Sequence, residues 1–103
     1  INYQADVNLE SKLFKTPLMG AIHNNHQDVA KLLISHDAKI DSQDHSGWTA
    51  MFYAVWNSRL DLVDLLLESG ANVTLLDQSG NNLKQVASIR GSNEFQTQLN
   101  ARL

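Results

Sequence analysis

The central part of the chain carries two short apolar stripes at helical spacing. Met51, Ala54 and Val55 stand at positions i, i+3 and i+4, which places them on one face of a helix. Two polar residues, at positions 58 and 59, then interrupt the pattern and predict a turn. A second core face follows at the same spacing, formed by Leu62, Leu65 and Leu66 and widened by Val63 and Leu67. The pattern therefore predicts two short helices joined by a turn.

Capping and turn signals bound this helix pair. The segment from Asp44 to Gly47 is a turn signal in which Gly47 supplies a positive φ angle. Thr49 is predicted as the N-cap of the first helix, with its hydroxyl available to the first-turn amides. Gly70 follows the second helix where a left-handed C′ residue is expected.

The whole pattern recurs with a period of 33 residues. Two sets of alanines show this spacing, namely Ala5, Ala38 and Ala71, and Ala21, Ala54 and Ala87. The turn signal at residues 44–49 likewise recurs at residues 77–82. A fixed period of this length indicates a repeat array, in which neighbouring units share one continuous core. The question of function therefore moves from catalysis towards binding.

Two sequence motifs resemble those of the ankyrin-repeat family. Thr16-Pro17-Leu18 is similar to the Thr-Pro-Leu-His opening of that repeat, and Gly70-Ala71-Asn72-Val73 is similar to its Gly-Ala-Asp-Val ending. The resemblance covers essentially the whole chain. It departs from the family pattern where Ala50 and Leu83 replace the proline, and where Met19, Phe52 and Gln85 replace the histidine. It implies an all-α ankyrin-repeat solenoid of helix–turn–helix pairs joined by short β-hairpin turns.

This register divides the chain into one domain of unequal units. We expect the tail of a truncated repeat at 1–10, full repeats at 11–43 and 44–76, and a C-terminal capping repeat at 77–103. The last unit has polar Lys84, Gln96 and Asn100 where the others have apolar residues, as a terminal unit requires. Because Ile1 aligns with the end of a helix, we expect a fragment with at least one further repeat upstream.

Composition and charge narrow the classes of function. Hydrophobic residues make up 43% of 103 residues, which is enough for a core, and the net charge is −3. The eight basic residues are scattered, so nucleic-acid binding is not expected. No apolar run is long enough to span a membrane, and no secretory signal opens the chain. With no cysteine as well, we expect an intracellular protein of the cytoplasm or nucleus.

No motif predicts an enzyme or a cofactor site. A Gly-rich phosphate loop, a nucleophile elbow and a framed carboxylate pair are all missing from the sequence. His23 and His26 stand three residues apart with Asp28 close by, but zinc requires three or four converging ligands. Asp44 and Asp77 are explained by their places at the starts of turns. We therefore expect neither catalysis nor a bound metal or cofactor.

The exposed side of the first helices is the candidate binding surface. With Met51, Ala54 and Val55 facing the core, Tyr53 and Trp56 point away from it, three residues apart on one helix. The repeat places equivalent residues of the neighbouring units beside them. Trp48 lies at a hairpin tip, where we expect few intramolecular contacts for its ring. The predicted partner-binding residues are Trp48, Tyr53, Trp56, Val86, Ile89, Arg90, His23 and Asn57.

An aromatic cluster with a polar rim is typical of protein interfaces. We therefore expect a scaffold or adaptor segment that binds a protein or peptide partner through the concave groove and the hairpin tips. Two alternatives stay open. One is an architectural or self-associating segment, and the other is the regulatory region of a larger enzyme.

Overall fold

Six short helices follow one another in the computed structural model, which describes residues 16–103. Their bounds are α1 Pro17–His23, α2 Gln27–Ser35, α3 Ala50–Trp56, α4 Leu60–Glu68, α5 Leu83–Arg90 and α6 Asn93–Arg102. Within the described residues there is no strand, so the predicted hairpins take the form of tight turns. The expected all-α architecture is confirmed. The predicted partial unit at 1–10 lies outside the described residues.

The helices form two layers. Helix α3 packs between α1 and α5, and these three first helices make one layer. Each first helix also packs against the second helix of its own pair, so α2, α4 and α6 form the layer behind. Side chains of the first layer that point away from the second layer are therefore the ones left for a partner.

Side-chain caps start three of the helices. The Thr16 hydroxyl accepts a hydrogen bond from Met19 N at 3.3 Å, and the Ser92 hydroxyl accepts one from Phe95 N at 3.1 Å. Asn82 and Gln85 form a reciprocal capping box at the start of α5. Thr49 is the N-cap of α3 as predicted, but its side chain makes no capping hydrogen bond. The expected role of its hydroxyl is therefore wrong, and Thr49 is instead a buried residue.

Successive turns approach each other closely at Gly47. Its φ angle is +77°, as the turn signal predicted, and a Cβ atom there would lie 2.6 Å from the backbone nitrogen of Gln78. That nitrogen donates a hydrogen bond to the carbonyl of Ser46 at 2.8 Å. The turns of two successive units are thus joined by their backbones, and only glycine leaves room for this contact.

The core runs between the layers and through the middle of the array. Helix α3 is buried on two sides, because it has a neighbour on each, and Met51, Phe52, Ala54 and Val55 are all inaccessible to solvent. The predicted stripe on α4 is buried at Leu62, Val63 and Leu66, whereas Leu65 is half-buried.

The buried face of helix α5 differs from the one that the 33-residue period predicts. The period predicts that positions 84, 87 and 88 face the core, and the buried residues lie one position earlier. Leu83, Val86 and Ala87 are buried, while Lys84 and Ser88 are exposed. The prediction that Val86 lies on the exposed surface is wrong, because only 1% of it is accessible. Within the described residues α5 has a first-helix neighbour on one side only, so its apolar face is rotated towards α3.

Candidate partner-binding surface

A continuous line of ring contacts crosses the exposed side of the first helices. The His23 ring meets the Tyr53 ring edge-on at 5.5 Å, and Tyr53 meets Trp48 edge-on at 5.1 Å. Trp48 lies 5.5 Å from Trp56, and the Arg90 guanidinium lies 4.9 Å above the Trp56 ring. We call these five residues the aromatic row. It connects α1, the turn before α3, α3 itself and α5.

Trp48 is held on the row by contacts below and beside it. Its ring stacks on the buried Phe52 at 5.9 Å and 20°, and its indole nitrogen donates a hydrogen bond to Asp77 Oδ2 at 3.2 Å. We expected the turn position to leave Trp48 few intramolecular contacts. That expectation is wrong, because the equivalent turn of the next unit supplies an acceptor at this point.

The two carboxylate oxygens of Asp77 accept hydrogen bonds from different groups. Oδ1 accepts hydrogen bonds from the backbone nitrogens of Ser79 at 2.9 Å and Asn81 at 2.8 Å, which closes the turn. Oδ2 accepts the bond from Trp48. Desolvation acts to raise the pKa of Asp77, but the hydrogen bonds from Asn81, Trp48 and Ser79 outweigh it and lower the pKa. The carboxylate is therefore held in its charged form.

Asp44 repeats this arrangement 33 residues earlier. Its Oδ1 accepts from the backbone nitrogens of Ser46 at 2.9 Å and Trp48 at 3.0 Å, and its Oδ2 accepts from the Tyr53 hydroxyl. Burial of the phenol, together with this bond and the charge of Asp44, raises the pKa of Tyr53 well above its usual value. Each turn aspartate therefore fixes one aromatic side chain of the row.

Asn57 connects α1 and α3, the first helices of two successive units, at the edge of the row. It is the C-cap residue of α3, and its side-chain nitrogen donates a hydrogen bond to the carbonyl oxygen of His23 at 2.9 Å. His23 is the last residue of α1, where carbonyl groups lack partners within the helix. Asn57 is half-buried, and this bond fixes the distance between the ends of α1 and α3.

The end of α5 is the most exposed part of the predicted surface. Ile89 is 64% accessible, and Arg90 beside it is also exposed. His23, Trp48, Tyr53, Trp56 and Asn57 are half-buried. Seven of the eight predicted residues thus reach the surface, and Val86 does not.

Comparison with known proteins assigns the chain to a family. The sequence profile of ankyrin repeats, comprising three copies, matches residues 1–77. The chain belongs to the ankyrin-repeat family. The resemblance found in its sequence motifs is therefore confirmed, and ankyrin repeats are generally modules of protein–protein interaction and typically non-catalytic.

Two ankyrin-repeat relatives extend far beyond the length of this chain. It is 40% identical to an ankyrin repeat protein of Rickettsia bellii over 52 residues, which are 50% of this chain and 15% of that protein. It is 37% identical to the mouse (Mus musculus) ankyrin repeat and SAM domain-containing protein 6 over 75 residues, which are 72% of this chain and 8% of that protein. The aligned residues thus span only a small part of each of these two proteins.

The anchoring aspartates of these ankyrin repeats are functional candidates that sequence reasoning did not find. Their recurrence at a turn start was explained fully by the turn, which uses only one oxygen of each carboxylate. A local signal was present only for Asp44, because its donor follows within the same unit, whereas the donor to Asp77 comes from the preceding unit and depends on how the units stack. Trp48 and Tyr53 are those donors.

The ankyrin-repeat surface offers no metal site among residues 16–103. In that range no group of three or more histidine, aspartate or glutamate side chains could hold a metal ion. His26 serves as the N-cap residue of α2, and the His23 ring faces Tyr53. Of the helices described, none has the length and apolar character needed to cross a membrane.

Proposed function

We propose that this ankyrin-repeat segment is a scaffold or adaptor module that binds a protein or peptide partner, without catalysis, through the aromatic row and the adjoining Ile89. The observation that carries the proposal is the row itself. Its rings are accessible at the surface and are fixed in place by two carboxylates and a buried phenylalanine. We place the partner on the concave side and at the turn tips of the array, and the protein in the cytoplasm or nucleus.

The energetics of the row support this role. Tryptophan, tyrosine and arginine are the residue types enriched in the small set that dominates binding energy at interfaces. Side chains that are already ordered lose less conformational entropy on binding, which raises affinity without further contacts. The exposed Ile89 adds apolar surface at one end of the row. A partner that covers both would bury apolar area that the free chain leaves in water.

Ile89→Asp is the variant best suited to test the proposal. Ile89 is 64% exposed, so a charge there should leave the fold intact and disrupt the contact with a partner. Leu32→Asp is a matched control, because Leu32 is 43% exposed and lies on α2 in the second layer. Replacing Trp48 by alanine is a poor test, since it would also remove the contacts with Phe52 and Asp77.

The experiment combines proximity labelling with binding measurements on the protein it identifies. Wild-type chain and both variants are first compared by thermal unfolding, where similar midpoints are expected. The partner should then bind Ile89→Asp at least tenfold more weakly and Leu32→Asp with unchanged affinity. Equal affinity of wild type and Ile89→Asp would defeat the proposal. Light scattering over a concentration range tests the alternative of self-association, which requires an increase in mass.

A further inference from the structure

The Arg90 guanidinium is positioned by an aromatic ring. Its guanidinium lies 4.9 Å above the Trp56 ring, and within residues 16–103 it makes no hydrogen bond or ion pair. Arg102 shows the contrast, since its guanidinium nitrogens contact Asp64 Oδ1 at 2.6 Å and Oδ2 at 3.3 Å. The stacking therefore orients Arg90, and no carboxylate within residues 16–103 forms an ion pair with it.

A stacked guanidinium presents its N–H donors along its edges. Arginine carries five such donors in a planar arrangement that matches the two oxygens of a carboxylate. The contact with the Trp56 face limits the orientations available to the group, so less entropy is lost when a ligand binds. Ile89, the preceding residue on α5, adds an apolar side chain that is 64% exposed.

We propose that the partner segment bound by the aromatic row carries an aspartate or glutamate side chain that pairs with Arg90, next to an apolar side chain that packs on Ile89. This inference rests on the proposed function and adds the chemistry of the partner. The pair would be a charge-assisted hydrogen bond, frequently made through both oxygens at once.

The other charges of the surface favour an acidic partner over a basic one. The carboxylates of Asp44 and Asp77 already accept hydrogen bonds from their own turns and from Tyr53 and Trp48. A lysine of a partner would compete with those donors and would meet the like charge of Arg90. A phosphate group is ordinarily recognised by a cluster of arginines, whereas the aromatic row contains a single one.

A displayed library of random twelve-residue peptides tests the inference with a defined probe. The full chain is used as bait, and peptides are kept that bind wild type but not Ile89→Gln, a neutral variant that does not itself select for charge. We expect these peptides to be enriched in an acidic residue adjacent to an apolar one. In the tightest peptide, replacing that acid by its amide should weaken binding about tenfold in fluorescence polarisation.

Variants of the chain make the test reciprocal. Arg90→Gln should weaken binding of the acidic peptide about tenfold. Its affinity for the amide peptide should equal that of wild type, because the amide peptide has already lost the contact with Arg90. Arg90→Glu should select peptides with lysine or arginine instead. Lys31→Gln, an exposed position on α2, removes the same charge elsewhere and should change nothing. Thermal unfolding of each variant checks that the fold is retained.

Two results would contradict the inference, and they are distinguishable. Peptides that require Ile89 but contain no enriched acid, or that bind Arg90→Gln and Arg90→Glu as well as wild type, overturn the role of Arg90 and leave the proposed function standing. A selection that yields no peptide dependent on Ile89 counts against the proposed function and against this inference together.

Discussion

Replacing Asp77 by asparagine tests whether the next unit anchors Trp48. The oxygen of the asparagine can still accept from the Ser79 and Asn81 backbone nitrogens, so the turn can be kept. The other carboxylate oxygen becomes an amide nitrogen, which cannot accept the indole hydrogen bond. Trp48→Phe removes the same bond from the donor side and keeps an aromatic ring for stacking on Phe52. The two substitutions form a double-mutant cycle.

The expected coupling energy between Asp77 and Trp48 follows from the kind of hydrogen bond and its exposure to water. A hydrogen bond to a charged acceptor contributes about 1.5–3 kcal/mol when well shielded. Trp48 and Asp77 are both half-buried, so water competes with the bond, and we expect a coupling energy of about 1 kcal/mol. Each single variant loses the bond, and the double variant loses it only once, so their effects should not add.

Urea unfolding at pH 7, followed by far-ultraviolet circular dichroism, measures the four free energies of unfolding. This signal reports helix content and is not dominated by the tryptophan that is replaced. Asp77→Asn combined with Ser58→Gly is the control, because no hydrogen bond or ion pair joins these two residues and their effects should add. Additivity of the Asp77 and Trp48 variants within about 0.3 kcal/mol would refute the anchoring.

Further predictions concern the turns and the pH dependence. Gly47→Ala should destabilise the chain by about 1–3 kcal/mol more than Gly80→Ala in urea unfolding. Both glycines have a positive φ, but only at Gly47 would the new Cβ atom meet backbone, at Gln78. Equal losses of stability would contradict the close approach of the two turns. Ser58→Gly should raise stability by about 0.5 kcal/mol, since Ser58 is exposed at a φ of 55°; a lower melting midpoint would contradict this. The lowered pKa of Asp77 stabilises the fold above the usual value of 3.8, and this contribution is lost as pH falls through the folded-state pKa. Stability should therefore fall less steeply below about pH 4 in Asp77→Asn than in wild type, as acid titrations of unfolding will show.

The fold was predictable because it depends on spacing along the chain. The i, i+3 and i+4 stripes determine which helix faces are buried, and the 33-residue period relates each unit to the next. The same logic found the positive φ angles of Gly47 and Gly70. It failed for Val86, since the buried face of a helix also depends on how many neighbours that helix has.

The candidate surface was predictable only in part. Periodicity placed Tyr53 and Trp56 on one side of α3, and it predicted His23 and Ile89 on either side of Trp56, whereas the His23 ring contacts Tyr53. It could not show that the carboxylates of Asp44 and Asp77 reach the aromatic donors, because that depends on side-chain rotamers and on distances between units. For the same reason Trp48 was predicted to be less constrained than its contacts make it.

The central claim is that a partner binds on the side of the first helices that carries the aromatic row. A photo-crosslinking amino acid placed at position 89, and in a separate sample at position 32, tests this most directly in the full-length protein. Both positions are exposed, and they lie on different helix layers. Our account predicts a covalent partner adduct from position 89 and none from position 32. An adduct from position 32 with none from position 89 would contradict it.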